Sequence, residues 1–155
     1  MKIIFKNISK FILIILLLNS CGYNPMFKDF NDIDFSIKIE ETTGARTVNN
    51  LIITNLKSYS KLDATKQYNV SIDTEYKKNI IAKDSTGAAT EYKIIVSSKF
   101  KVDSTVFNGE VGFTESFNMQ KMSNKLDEKD YEENILNNLT NTITRKLILK
   151  LSQLE

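Results

Sequence analysis

Tyr68-Asn69-Val70-Ser71-Ile72-Asp73-Thr74-Glu75-Tyr76-Lys77 alternates apolar or hydroxyl-bearing residues with polar ones at a period of two. Side chains on a strand point alternately to opposite faces, so Tyr68, Val70, Ile72, Thr74 and Tyr76 share one side. The pattern decides the fold because it recurs downstream. Tyr92, Ile94, Val96, Ser98, Phe100 and Val102 alternate against Lys93, Ile95, Ser97, Lys99 and Lys101. Asp84-Ser85-Thr86-Gly87 between the two runs reads as part of a loop. Asn108-Gly109 marks a tight turn, both residues tolerating positive φ. Beyond it, Val111, Phe113, Phe117 and Met119 share a face broken only by Glu115. Three antiparallel strands in a meander, each apolar on one side, require a covering layer on that side.

The flanking segments supply it. Upstream, Ile33, Phe35, Ile37 and Ile39 alternate with Asp34, Ser36 and Lys38, predicting another half-buried strand. Glu40 to Gly44 reads as a turn region. A helix then runs to about Tyr59, with Val48, Leu51, Ile52, Leu56 and Tyr59 on one face and Asn49, Asn50 and Lys57 nearer the other. Polar residues 60–66 end it. Downstream, Tyr131, Ile135, Leu139, Ile143, Leu147, Leu151 and Leu154 recur at steps of four, closing with three. That spacing predicts a helix from about Asp127 to the C-terminus, with Ser123, Asn124 or Asp127 as its cap. Ile148 and Leu149 widen its apolar face. The expected order is β-α-β-β-β-α: an α+β two-layer sandwich, a four-stranded, mostly antiparallel sheet with two helices on one face. The other face is left polar.

The N-terminal segment carries a different message. Lys2, Lys6 and Lys10 precede the unbroken apolar run from Phe11 to Leu18, the pattern of an export signal. The run is shorter than the about 20 apolar residues a transmembrane helix needs. Leu18-Asn19-Ser20-Cys21-Gly22 follows, a lipobox-like tetrapeptide and its next residue. The expectation is a lipoprotein signal peptide over residues 1–20, cleavage before Cys21, and lipid on that cysteine. An uncleaved signal anchor or a buried N-terminal cysteine is the alternative. Cys21 is the only cysteine, and in an exported protein a lone thiol needs an explanation, which lipidation supplies. Several acyl chains, each CH₂ worth about 0.8 kcal/mol, would make the attachment effectively permanent. Gly22 is not the aspartate that retains such proteins in the inner membrane, so the expected address is the outer membrane, facing the periplasm. Residues 21–32, with the only proline at Pro25, read as a lipidated tether, and residues 33–155 as a single α+β domain.

Composition narrows the function. Of 21 lysines and arginines, the signal segment holds three and no acid, leaving 18 bases against 19 acids in the mature chain. A near-neutral domain argues against nucleic-acid binding, which draws on clustered positive charge. With no histidine and no second cysteine, histidine triads, cysteine–histidine pairs and the usual zinc sites are excluded. The five glycines have no phosphate-cradling spacing. Two-carboxylate catalysis is the enzymatic option left. The densest acids, within Asp127 to Glu133, stand where the long helix begins and interact favourably with its dipole. No catalytic residue, metal ligand or cofactor is expected beyond the covalent lipid.

A lipid-bearing Cys21-Gly22-Tyr23-Asn24-Pro25-Met26-Phe27 segment precedes Ile37-Lys38-Ile39 and a Gly44/Arg46 turn. Thr90-Glu91-Tyr92 opens one strand, Phe117-Asn118 closes another, and Arg145 sits in the last helix. With the β-α-β-β-β-α order, these features resemble the lipopolysaccharide-assembly lipoprotein family LptE in its alphaproteobacterial form, over essentially the whole mature chain. The resemblance implies a non-enzymatic plug inside LptD, the β-barrel of the outer-membrane lipopolysaccharide translocon. There it would help the barrel assemble and help deliver lipopolysaccharide to the outer leaflet. A polar sheet face suits a polar barrel lumen. Lys93, Lys99 and Lys101 share the outward face of one strand, with Lys77 near on the next, and are candidate contacts for lipopolysaccharide or the barrel wall. The plain alternative is a solvated face of a one-sided sheet. Two other functions fit the same chain. One is a stand-alone periplasmic lipoprotein that binds a soluble ligand or inhibits an enzyme; the other is a subunit of another envelope-assembly machine.

Overall fold

The computed structural model describes residues 35–154. The signal peptide, Cys21, the tether, Ile33 and Asp34 lie outside the described residues. The elements are β1 (Phe35–Gly44), α1 (Arg46–Lys57), β2 (Lys66–Lys83), β3 (Ala89–Asp103), β4 (Asn108–Gln120) and α2 (Lys125–Ser152). The four strands form one sheet in the order β1-β2-β3-β4. Pairs β2–β3 and β3–β4 are antiparallel, whereas β1 and β2 run parallel, joined through α1 as a parallel crossover requires. The fold is thus the expected α+β arrangement, with a mixed sheet.

The alternation in β2 and β3 does what its period dictates. Tyr68, Val70, Ile72, Ile94, Val96, Phe100 and Val102 are all buried, facing the helices. Helix α1 lies against β1 and β2, α2 against β3 and β4, and the helices touch each other. The α2 stripe is wider than its apolar residues announce. Ile135, Leu139, Ile143, Leu147 and Leu151 are buried, and so is the adjoining row of Leu136, Thr140, Thr144 and Ile148. The threonines belong there because each hydroxyl is satisfied within its own helix. Thr140 bonds the Leu136 carbonyl and Thr144 the Thr140 carbonyl, both at 2.8 Å. Asn124 is the cap, its side chain accepting from Leu126 N–H at 2.9 Å, so α2 begins two residues before Asp127.

Three local expectations are corrected. Residues 40–44 are not a turn: β1 continues to Gly44, and its register against β2 shifts between Ile39 and Glu41. The bulge exchanges the faces of the residues after it, which erases the period-two signal. Asn108-Gly109 is not the β3–β4 turn either. Asn108 pairs with Asp103 and Gly109 with Val102, so the connection is Ser104 to Phe107. There the Ser104 hydroxyl accepts from Val106 N–H at 3.3 Å and Phe107 N–H at 3.0 Å, so a serine side chain holds the loop. Gly109 is small for another reason: a Cβ there would lie 2.7 Å from the Phe107 ring. Finally, Asn49 is buried, not on the outer side of α1.

Candidate functional site

The helices cover one face of the sheet; among the described residues nothing covers the other. Strand register lays this open face out as rows. From β4 to β2 one row reads Asn118, Lys93, Asn79; the next Ser116, Ile95, Lys77; then Thr114, Ser97, Glu75. Further along come Gly112, Lys99, Asp73 and Thr43, then Glu110, Lys101, Ser71 and Glu41. The four candidate lysines therefore do share the outward face, and they fall into two groups. Lys99 and Lys101 stand together on β3. Lys93 lies six residues away along the strand, about 20 Å at strand spacing, and is diagonal to Lys77 on β2.

Each group is interleaved with acids. Asp73 is opposite Lys99 and Glu110 opposite Lys101. Glu75 holds the Lys77 ammonium at 2.8 Å, in an exposed pair of little stabilising worth. Asp73 and Glu110, with Glu41 and Thr43, line a shallow depression around Lys99 and Lys101. Its rim is cross-linked where the Thr43 hydroxyl donates to Asp73 at 2.7 Å. The middle of the face is small and polar, with Ser97 and Thr114 hydroxyls 3.0 Å apart. The surface is zwitterionic, not a positive stripe. The acids were invisible in a reading that followed one strand at a time, because they belong to its neighbours.

A second polar cluster lies where β2 leaves the cover of α2. Glu132 accepts a short hydrogen bond from the Tyr76 phenol and takes the Lys78 ammonium at 2.6 Å. Glu128 reaches the same ammonium at 3.2 Å and accepts from Met122 N–H at 3.1 Å. Lys78 also sits 4.4 Å from the centre of the Tyr92 ring. Burial, then the hydrogen bond and charge of Glu132, push the Tyr76 phenol well above its usual range. Burial opposes the charge on Lys78, but bonds to Glu132 and Glu128 outweigh it and raise its pKa. The sequence signal for this network was Glu128 and Glu132 one turn apart; their partners required the fold. It fastens the long β2–β3 hairpin to the start of α2.

At the start of α1, Gly44 has φ +87°, and a Cβ there would lie 1.8 Å from the Thr74 carbonyl oxygen. Ala45 N–H donates to that same oxygen at 3.0 Å. Asn49 completes the junction, donating to the Thr43 carbonyl at 2.9 Å and accepting from the Thr74 hydroxyl at 2.9 Å. This site is structural: every polar group in it is spent on joining β1, α1 and β2.

Among the described residues no cluster of acids has metal-binding geometry. No described helix is long and apolar enough to cross a membrane, which says nothing of β-barrels.

Comparison with known proteins found no matching family model and no matching curated protein. Solved structures do match. The rare lipoprotein B from Shewanella oneidensis superposes with a TM-score of 0.55 at 9% identity, covering 74% of this chain and 95% of that one. An uncharacterized lipoprotein B from Nitrosomonas europaea gives a TM-score of 0.51 at 10% identity, covering 79% and 87%. At such identities the likeness is one of fold, and it takes in about three quarters of this chain and most of each of the other two.

Proposed function

We propose that this chain is an outer-membrane lipoprotein of the LptE kind, anchored through lipid on Cys21 and seated within the LptD barrel. In this reading it supports assembly of the barrel and delivery of lipopolysaccharide to the outer leaflet, and performs no covalent chemistry. One observation carries the proposal: a fold shared with rare lipoprotein B along almost its full length, in a chain that opens with an export signal and a lipobox. Neither half would suffice, since folds host many functions and anchors serve many proteins.

The open face refines the role of the lysines. Lipopolysaccharide phosphates would favour clustered cations, whereas Lys77, Lys93, Lys99 and Lys101 are interleaved with Asp73, Glu75 and Glu110. A balanced, finely mixed surface suits the polar wall of a barrel lumen, so we assign these lysines to the barrel wall. The test is a native pull-down of the acylated protein from detergent-solubilised outer membranes. A large β-barrel retained in equal amount through a stringent wash is the expected result. Recovery of the lipoprotein alone, from membranes that contain the intact barrel, would leave a stand-alone periplasmic binder. Depletion should strand lipopolysaccharide beneath the cell surface.

A further inference from the structure

One end of the sandwich gathers the start of β1, the loop after α1, the β3–β4 loop and the last turns of both helices. Phe35 pairs with Lys66 and Asn69 with Asp103, which brings those strand ends together. Tyr68 donates to the Leu151 carbonyl at 3.4 Å and draws the end of α2 to the same place. Two apolar side chains project here: Leu62 is fully exposed, and Val106 is about half exposed. Neither stands on slack chain. The loop of Leu62 is pinned to β1, where Lys61 N–H bonds the Phe35 carbonyl at 3.2 Å and the Ser60 hydroxyl accepts from Ile37 N–H at 2.9 Å. The Ser104 hydroxyl closes the loop of Val106, accepting from Val106 N–H and Phe107 N–H. Exposed Lys57, Lys61 and Lys150, with half-buried Lys66, share this end with Asp63 and Asp103.

A single exposed leucine needs no explanation. What sets these two apart is where the chain enters the domain. Cys21 and Phe35 are 14 positions apart, and a fully extended chain of that length spans about 50 Å. Other exposed apolar residues, Ile80, Ile81, Met122 and Leu126, lie toward the opposite end. Ile80 stands 14 positions along β2 from Lys66, the partner of Phe35, or about 46 Å at strand spacing. Only a tether stretched to its limit would carry that end to the leaflet holding the Cys21 lipid, at a large cost in chain entropy. The end bearing Leu62 and Val106 needs no such stretch.

We infer that Leu62 and Val106 insert into the lipid leaflet that holds the anchor, with the lysines of this end over anionic headgroups. The inference rests on the Cys21 anchor and concerns the lipoprotein before a barrel encloses it. Apolar side chains at the acyl boundary, flanked by cations, are how an interfacial contact is made. Two such side chains would hold a free domain to a membrane only weakly. The anchor makes the contact intramolecular, and the high effective concentration that follows lets a weak contact persist. Docking in this way stands the long strands up from the membrane and leaves the open sheet face uncovered for the barrel wall.

The chain has no tryptophan, so an introduced one reports alone. The full acylated chain carrying Leu62→Trp, Val106→Trp or Ser85→Trp is placed in vesicles of phosphatidylethanolamine and phosphatidylglycerol. Ser85 is exposed in the β2–β3 loop, at the opposite end. Emission from the Leu62→Trp and Val106→Trp proteins should shift to the blue and be quenched by lipids brominated near the headgroup. The Ser85→Trp protein should emit as in water. Replacing phosphatidylglycerol with phosphatidylcholine should weaken the quenching, and unchanged quenching overturns the part assigned to the lysines. Leu62→Trp emission that matches Ser85→Trp overturns the docking, as does quenching confined to Ser85→Trp. The mass of the N-terminal peptide scores the anchor separately. Without lipid on Cys21 the anchor reading falls and the inference with it; with lipid present and Leu62→Trp in water, the docking alone falls.

Discussion

The β1–β2 half of the sheet and the β3–β4 half are built from the same alternating strands and end in opposite conditions. In the first, the strand edge and the junction with the helix are committed. The edge of β1 is covered by the loop after α1, a glycine lets the chain turn against Thr74, and a buried asparagine joins helix to strand. In the second, no strand pairs with the outer edge of β4 among the described residues, an aromatic ring is left exposed, and β3 presents its lysines to the open face. One half is finished as structure; the other is left available for contact. The alternating strands provide the same core in both, so it is their borders that separate stability from recognition.

The sharpest way to break this contrast is Gly44→Ala. The left-handed backbone and the close approach of the Thr74 carbonyl together should cost about 3 kcal/mol or more in urea unfolding. A loss below about 1 kcal/mol would mean that the junction relaxes freely and the first half is not so tightly committed. Asn49→Ala should follow at about 1–3 kcal/mol, because it takes the amide donor from the Thr43 carbonyl and leaves the Thr74 hydroxyl only the Ala45 carbonyl at 3.3 Å. Ser60→Ala should remove about 0.5–1.5 kcal/mol and speed hydrogen exchange at the Ile37 amide, with β4 amides unaffected. Equal acceleration at both edges would dissolve the distinction.

A smaller effect, in the network that ties the two halves together, shows with pH. Burial raises the Glu128 pKa, but Met122 N–H, the bond and charge of Lys78, and the charge of Lys121 outweigh it and leave the pKa lowered. A carboxyl depressed in the folded state adds stability above its unfolded value and loses it as pH falls through the folded value. Glu128→Gln should therefore flatten the acid side of the stability profile and leave the neutral-to-alkaline side nearly parallel to wild type. The triple change of Lys93, Lys99 and Lys101 to glutamate sets new carboxylates opposite Asp73 and Glu110 and should cost about 1 kcal/mol, leaving the fold intact. It should nonetheless reduce recovery of the barrel partner in the pull-down. Unchanged recovery would return these lysines to an ordinary solvated face.

Periodicity made much of this legible in advance. β2 and β3 bury one set of alternating residues at nearly every position, and the four-residue recurrence from Ile135 to Leu151 faces the core throughout. The strands before and after the alternating pair were harder. A bulge in β1 breaks the phase of the pattern, and a serine-held loop replaced the glycine turn expected at Asn108. The isolated polar surprises share one cause. Glu115 breaks the apolar face of β4 because it receives Lys146 from α2, and Thr140 and Thr144 enter the core because their hydroxyls are satisfied within the helix.

By itself the sequence determined the element order and the buried faces of the central strands and the long helix, because these depend on residues near one another in the chain. Tertiary structure alone decided the parallel pairing of β1, the acids opposite Lys99 and Lys101 on the open face, and, among the described residues, which sheet edge has no pairing strand. Those depend on register between strands distant in sequence. Register arises from packing of the assembled sheet and leaves no trace in the alternation of any single strand.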